Sequence, residues 1–352
     1  MSCINFDGMY SLQYDEQLKK YTRDARGLLT MELETSHICN YRCKYCYSNA
    51  GSPIKNELTL KELCDVVIQG KNLGVQTIVL IGGGEPLLYT YIRELIKFIF
   101  CQEINIILFT NGSKLNQEMA EFLRIHNVFP VLKVNGILKE TMEWLCGNRH
   151  AYRHSIQAMN ALSEAGYTSE KYKMGISTII CKQNADEIFS LWKWARENYL
   201  VPYFERVLPQ GEANNIDLAL NNNELSILFE ELRRYDEEKW GIKWNSTHPP
   251  IAGAKCDRHL YSIYVKSDGT IQPCSGIEIP IGNIRNQELK QILEQSEIIN
   301  QLRNIDVNIK GPCAKCEIES GCYGCRGSAY LLSGDYLESD PMCWHNGLLT
   351  SK

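Results

Sequence analysis

The sequence predicts an α/β fold with a parallel sheet, followed by a smaller cysteine-rich domain. Strand-like and helix-like segments alternate from Leu29 to about Glu212 without a tandem repeat, which is the pattern of β/α units. The 352 residues suffice for one large domain and a smaller appendage. Seven of the 15 cysteines lie between positions 256 and 343. These observations predict an N-terminal segment at 1–27, an α/β core at 28–240 and a cysteine-rich domain at 241–352.

Six segments of the core predict strands, because they are short apolar runs separated by longer periodic segments. Segments 87–100, 155–165, 187–198 and 224–239 predict helices, and the charges of the last indicate a solvated face. Residues 240–250, which include Pro249 and Pro250, read as the linker into the second domain. The predicted strands are 29–35, 77–81, 104–110, 128–134, 173–180 and 201–208.

Three cysteines follow the first predicted strand with the spacing C-x3-C-x2-C: Cys39, Cys43 and Cys46. A [4Fe–4S] cluster normally takes four cysteines, so three thiolates from one loop leave one iron open to a substrate. A structural zinc site needs four ligands, and no fourth Cys or His stands at zinc-like spacing downstream. The pattern therefore favours an open-iron cluster, with zinc or plain buried thiols as the alternatives.

A glycine-rich turn, Gly82 to Pro86, follows the second predicted strand. Glycine permits close backbone approach, and an acidic or carbonyl group suits a ligand ammonium. A phosphate-binding turn is disfavoured, because the run is not G-x-G-x-x-G and its glutamate would repel a phosphate. Carboxyl ends of parallel strands lie on one face, where active sites collect. The turn and the cysteine loop should therefore converge.

Together the cysteine loop and the turn resemble the signature of the radical S-adenosylmethionine (radical SAM) superfamily. The resemblance implies a partial (β/α)6 TIM-like barrel and reductive cleavage of SAM to a 5′-deoxyadenosyl radical, which abstracts hydrogen from a substrate. An electron donor such as flavodoxin or ferredoxin would serve the cluster. The implied catalytic ligands are Cys39, Cys43 and Cys46, and the implied SAM-binding turn is Gly83, Gly84 and Glu85.

Three further positions match SAM contacts of that family. Tyr45 corresponds to an aromatic residue near adenine, although a simple core tyrosine is the alternative. Asn111 ends the third predicted strand near the amino-acid portion of SAM. Asn184 follows the fifth, at a position often near the ribose. Either asparagine could equally be an ordinary turn former.

Arg206, at the end of the sixth predicted strand, is also expected to bind SAM through its carboxylate, or to contact substrate. A structural ion pair with Glu205 or Glu212 is the alternative.

The C-terminal cysteines resemble the SPASM domain, which carries two auxiliary [4Fe–4S] clusters; two zinc knuckles remain the alternative for positions 313–325 alone. The last closely spaced pair, Cys322 and Cys325, has the spacing C-x2-C, whereas the family more often has C-x3-C at this place. The resemblance implies one cluster held by Cys313, Cys316, Cys322 and Cys343, and another held by Cys256, Cys274 and Cys325. The second set lacks an obvious fourth ligand, so an open iron, Asp257 or His259 would complete it.

The clustering of cysteines in ligand-spaced groups argues against a disulfide framework. Reduced thiols and oxygen-labile clusters fit the cytoplasm. The N-terminus lacks a basic-then-apolar signal, and no apolar run approaches the length of a membrane helix. A net charge of −5 provides no basic field for nucleic acid. The remaining cysteines are expected to be buried small hydrophobes: Cys3, Cys64, Cys101, Cys146 and Cys181.

The resemblance favours a peptide or protein substrate and a maturase-type modification. Ser275 follows Cys274 where sulfatase-maturing relatives place an aspartate, which disfavours sulfatase maturation. Only 38 residues precede Cys39, so a leader peptide would be read by a separate protein or by the SPASM surface. A small metabolite in cofactor or natural-product biosynthesis is the second hypothesis. The third is a degenerate scaffold that binds clusters or zinc without SAM chemistry.

Overall fold

The computed structural model describes residues 14–169, 171–244, 248–318 and 321–346. All six predicted strands of the core are present, each within about two residues of its expected bounds. Three further short strands follow in the cysteine-rich region. The strands are β1 (Thr30–Leu33), β2 (Thr77–Leu80), β3 (Asn105–Thr110), β4 (Val128–Lys133), β5 (Gly175–Ile180), β6 (Val201–Arg206), β7 (Ser262–Val265), β8 (Thr270–Gln272) and β9 (Gly282–Asn283).

One continuous sheet runs through the described residues in the order β6-β5-β4-β3-β2-β1-β7-β8-β9. The first six strands are parallel, as their alternation with helices predicts. β7 also pairs in parallel with β1, and β8 and β9 add antiparallel strands. The cysteine-rich region therefore extends the sheet of the core. The domain boundaries at 27 and 240 stay a prediction.

Helices cover the outer face of the parallel sheet. The predicted helix 87–100 divides into a 3-10 turn (Pro86–Leu88) and α3, and that at 224–239 ends in a π-turn (Asp236–Trp240). Thr59 and Asn221 form capping boxes at two helix starts. The helices are α1 (Glu16–Asp24), α2 (Leu60–Asn72), α3 (Ile92–Cys101), α4 (Gln117–Ile125), α5 (Lys139–Cys146), α6 (Ala151–Glu164), α7 (Ala185–Glu197), α8 (Asn222–Tyr235), α9 (Leu289–Gln295), α10 (Glu297–Arg303), α11 (Ile305–Asn308) and α12 (Arg326–Ser333).

The strands alternate between two environments, because successive side chains of a strand point to opposite faces. Met31 and Leu33 of β1 belong to the main core under the helices. Val79 and Ile107, on the opposite face of β2 and β3, belong to a separate small cluster. This second face also carries charged residues, and it forms the inner wall described below.

None of the helices in the described residues is both long and apolar enough to cross a membrane.

Candidate active site

The cysteine loop and the glycine-rich turn lie against each other at the carboxyl ends of β1 and β2, as their order in the chain predicts. The backbone N–H of Gly84 donates to the carbonyl of Ser36 at 2.7 Å, and that of Glu85 to the carbonyl of Ile38 at 2.8 Å. A Cβ atom at Gly84 would lie 1.9 Å from the Ile38 oxygen. Glycine is therefore required here by close packing of two backbones.

Buried polar side chains fix the turn from both sides. The Gly83 N–H donates to Glu34 at 3.0 Å, and the Gly83 carbonyl accepts from Ser48 Oγ at 2.6 Å. Glu34 also accepts from the backbone N–H of Ser267 at 2.9 Å and from the hydroxyl of Tyr264. Glu34 was not singled out in the sequence, although a glutamate inside an apolar strand segment was a usable signal.

Glu85 joins the turn to the end of β3. Its buried carboxylate accepts from Thr110 Oγ1 at 2.6 Å, the N–H of Asn111 at 2.7 Å and the N–H of Leu87 at 3.1 Å. Burial raises the pKa of this carboxyl. The expected contact of Gly83, Gly84 and Glu85 with SAM stays a prediction.

Asn111 lies beside the cysteine loop. Its side-chain amide donates to Asn40 Oδ1 at 3.0 Å, and its carbonyl oxygen accepts from the N–H of Ser113 at 2.9 Å. Asn40 is the residue directly after Cys39. A contact between Asn111 and SAM stays a prediction.

Asn184 is buried and hydrogen-bonded within the protein, and its expected contact with the ribose stays a prediction. Its amide donates to the carbonyls of Asn135 and Ile179, both at 2.8 Å, and its oxygen accepts from the N–H of Cys181 at 2.9 Å. Both amide hydrogens are therefore used within the protein. Asn184 holds the loops after β4 and β5 together, as the turn-forming alternative suggested.

Arg206 joins the barrel to the cysteine-rich region. Its guanidinium donates to the buried carboxylate of Asp340 at 2.8 Å and to the carbonyl of Met342 at 2.9 Å. Its ion-pair partner is therefore neither Glu205 nor Glu212. Arg206 also lines the central cavity, and its contact with SAM or substrate stays a prediction.

The three loop cysteines are half-buried beside a further thiol. Burial raises the pKa of Cys39 to about 12. A hydrogen bond with the sulfur of Cys146, followed by burial, raises the pKa of Cys43. Cys146 itself is fully buried. The loop therefore presents clustered sulfurs in a low-dielectric setting, and soft thiolates are the donors that iron–sulfur clusters require.

Tyr45 lies at the boundary between this loop and an internal cavity of about 150 Å³. Its hydroxyl accepts from the amide of Asn135 at 2.6 Å, and Lys133 Nζ lies 5.1 Å from its ring centroid. Tyr45 is thus packed on one side and lines the cavity on the other. Its proximity to adenine stays a prediction.

Charged and phenolic side chains of the strands line the inner wall of this cavity. Arg258 bridges Glu32 at 2.6 Å and the hydroxyl of Tyr203 at 2.8 Å. Burial lowers the pKa of Lys133 and raises that of Glu205, which face each other across the barrel interior. These residues were not predicted, but charges within apolar strand runs are a signal for an internal polar site.

The C-terminal cysteines form two separate groups, as the resemblance implied. Cys256, Cys274 and Cys325 line the central cavity, which Tyr45, Tyr47 and Ile81 also line. A second cavity is lined by His248 and His345, and His248 Nε2 contacts the sulfur of Cys322. The cysteines lining this second cavity are Cys313, Cys316, Cys322 and Cys343. Both thiol sets fit iron–sulfur ligation; the zinc alternative stays untested.

The two residues proposed to complete the Cys256 group differ in availability. Asp257 accepts from Lys19 Nζ at 2.6 Å and from the hydroxyl of Tyr261 at 2.8 Å, and its role as a ligand stays a prediction. His259 lines the cavity beside the cysteines. Burial, assisted by the nearby Arg326 charge, lowers the pKa of His259 to about 4.

The cysteines outside the motifs are only partly as predicted. Cys146 and Cys181 are buried, Cys64 is half-buried, and Cys101 is exposed at the end of α3, so its predicted burial is wrong. Cys3 lies outside the described residues.

Residues 33–195 match the family model described as Radical SAM superfamily, and residues 256–317 match that of SPASM, an iron-sulfur cluster-binding domain. An AdoMet-dependent heme synthase of Methanosarcina barkeri is 28% identical, over 91% of this chain and 97% of that protein. The sporulation killing factor maturation protein SkfB of Bacillus subtilis is 25% identical, over 75% of this chain and 64% of that protein. SuiB of Streptococcus suis, solved with S-adenosylmethionine, superposes with a TM-score of 0.70 at 18% identity. The match covers 91% of this chain and 78% of SuiB.

Proposed function

Because this chain belongs to the radical SAM superfamily and carries a SPASM domain, we propose that it abstracts hydrogen from a substrate held in the central cavity. The chain is an enzyme rather than a scaffold, with S-adenosylmethionine and [4Fe–4S] clusters as its cofactors. When bound, the first cluster and SAM supply a 5′-deoxyadenosyl radical that takes a hydrogen atom from the substrate. The protein supplies binding, orientation and exclusion of side reactions.

The observation that carries this proposal is the lining of the cavity. The same cavity is lined by Tyr45 and Tyr47, which flank Cys46 in the first loop, and by Cys256 and Cys274. A substrate in this space is therefore near the loop proposed to hold the first cluster and near the thiolates proposed to hold an auxiliary cluster. In this proposal the auxiliary cluster accepts the electron that the substrate radical gives up.

The first loop and the turn position SAM in this proposal. Cys39, Cys43 and Cys46 hold the cluster, while Gly83 and Gly84 keep their backbones close to it. The hydrogen bonds that the carboxylates of Glu34 and Glu85 accept hold the turn in place. An electron donor such as flavodoxin or ferredoxin reduces the cluster.

The reacting part of the substrate is a polar group of about the size of an amino-acid side chain. The cavity has a volume of about 150 Å³, and its wall presents the paired charges of Glu32 and Arg258 together with the carboxyl group of Glu205. An apolar group here would leave buried charges without new partners, which is unfavourable.

A peptide or protein is our first substrate candidate, and a separate protein would then present any leader. SkfB is by name a maturation protein, and SuiB has been solved with the precursor peptide SuiA. A small metabolite is the second candidate. It is favoured by the match to an AdoMet-dependent heme synthase, which spans 97% of that protein.

Deuterium transfer tests the function and separates the two candidates. An extract of the source organism grown in deuterated medium is divided into peptide and small-metabolite fractions, and each is added to the reduced, reconstituted enzyme with SAM. Mass spectrometry then measures deuterium in 5′-deoxyadenosine. Transfer from the peptide fraction that disappears after peptidase treatment supports the first candidate. Transfer from the other fraction supports the second.

Glu205→Gln serves as the matched variant, because it keeps the size of a side chain in the cavity but removes its charge. We expect this variant to form 5′-deoxyadenosine while losing most of the deuterium transfer. Transfer equal to that of the unaltered enzyme would contradict substrate binding in the cavity.

A further inference from the structure

The cluster site in the central cavity has three cysteines, Cys256, Cys274 and Cys325. A [4Fe–4S] cluster normally takes four protein ligands, so one iron needs a further donor or stays open. The other C-terminal cysteines line the second cavity. A fourth protein ligand would therefore be a different residue type.

The two residues between Cys256 and His259 are already engaged. Asp257 binds Lys19 and Tyr261, as described above. Arg258 is paired with Glu32, and a guanidinium has no lone pair to offer a metal. Both are weaker candidates than His259 for the missing ligand.

His259 is different. It lies in the 3-10 turn Arg258–Leu260, three positions after Cys256, and its side chain lines the same cavity as the three cysteines. The residue is 5% exposed, and its Nε2 atom is buried without a hydrogen-bond partner. A buried polar atom without a hydrogen-bond partner is unfavourable, so such an atom normally has a function or an additional ligand.

We propose that Nε2 of His259 is the fourth protein ligand of the cluster held by Cys256, Cys274 and Cys325. The inference rests on the assignment of these cysteines to an auxiliary cluster. A neutral imidazole in place of a thiolate raises the reduction potential of an iron–sulfur cluster. The site is then closed to direct ligation by substrate and suited to accept an electron from it.

The test uses the full chain carrying Cys39→Ala, Cys43→Ala and Cys46→Ala, so that only the auxiliary clusters contribute. Histidine is labelled with 15N, the clusters are reduced, and pulsed electron paramagnetic resonance measures nitrogen coupling. We expect a strong coupling that changes with the label and is lost in His259→Ala. His248→Ala is the matched control, because His248 touches a sulfur at the other cavity. It should keep the strong coupling.

His259→Cys keeps the test decisive if His259→Ala loses the cluster. The cysteine supplies the missing thiolate, so this variant should retain iron, lose the strong nitrogen coupling and show a lower reduction potential. A strong coupling that survives in both His259 variants, or its absence from the parent, would overturn the proposal. The iron content of the parent separates the two assumptions. Iron for a single cluster contradicts the auxiliary assignment. Iron for two clusters without histidine coupling contradicts only the role of His259 as a ligand.

Discussion

Asp340 joins the barrel to the cysteine-rich region, and its substitution should destabilise both. The side chain is fully buried and accepts from Arg206 of β6 at 2.8 Å. It also accepts from the backbone N–H of Cys325 at 2.9 Å and of Met342 at 3.0 Å. One carboxylate therefore satisfies a guanidinium from the barrel and positions a proposed cluster ligand.

We expect Asp340→Asn to lower the free energy of unfolding by about 3–5 kcal/mol, the usual cost of removing one partner of a buried ion pair. The amide keeps the shape but leaves the Arg206 charge unpaired, and it replaces one acceptor oxygen with a donor. Urea unfolding of the anaerobically prepared protein measures the change. Because Cys325 loses its backbone anchor, iron content should fall as well.

Asp217→Asn is the control, since Asp217 pairs with Lys182 at 2.5 Å but its side chain is 81% exposed. An exposed pair contributes about 0–1 kcal/mol. Adding Arg206→Met to Asp340→Asn should recover part of the loss, because the uncompensated charge is removed. If Asp340→Asn were no more destabilising than Asp217→Asn, the reasoning about this buried pair would be refuted.

Three further outcomes are expected. Anaerobically reconstituted protein should contain roughly eight to twelve iron atoms per chain, from two or three four-iron clusters; about four, or stoichiometric zinc, would contradict the cluster assignments. Gly84→Ala should lower iron content by about one cluster, because its Cβ would lie 1.9 Å from the Ile38 oxygen, and unchanged iron would show that the loop can move aside. Glu85→Gln should lower the free energy of unfolding by about 1–3 kcal/mol in urea titration, since one of its buried donors loses its acceptor; no change would mean that the turn does not depend on this carboxylate.

The local patterns of the sequence were sufficient for the parallel strands and for the meeting of the two N-terminal motifs. Strand periodicity is a local property, and the carboxyl ends of parallel strands necessarily share a face. The pairing of β7 with β1 could not be predicted in this way. It joins segments more than two hundred positions apart, and neither carries a local mark of its partner.

In the candidate site, too, local features could be predicted from the sequence and contacts between distant residues could not. The ligand-spaced cysteines were readable because their spacing is local, and they do form two groups. The protein partners of Arg206 and Asn184, which are Asp340 and Asn135, could not be predicted, because they are distant in the chain and are known only from the fold. Glu34 was missed, although its charge within a buried strand segment was visible in the sequence.

The central claim is that Cys39, Cys43 and Cys46 hold the cluster that cleaves SAM. The most direct measurement is 5′-deoxyadenosine formed from SAM and dithionite by the reconstituted enzyme and by the triple variant with alanine at these positions. We predict product from the unaltered enzyme and none above background from the variant, which should keep the iron and visible absorbance of its auxiliary clusters. 5′-Deoxyadenosine from the triple variant would contradict the account, because the catalytic cluster would then lie elsewhere.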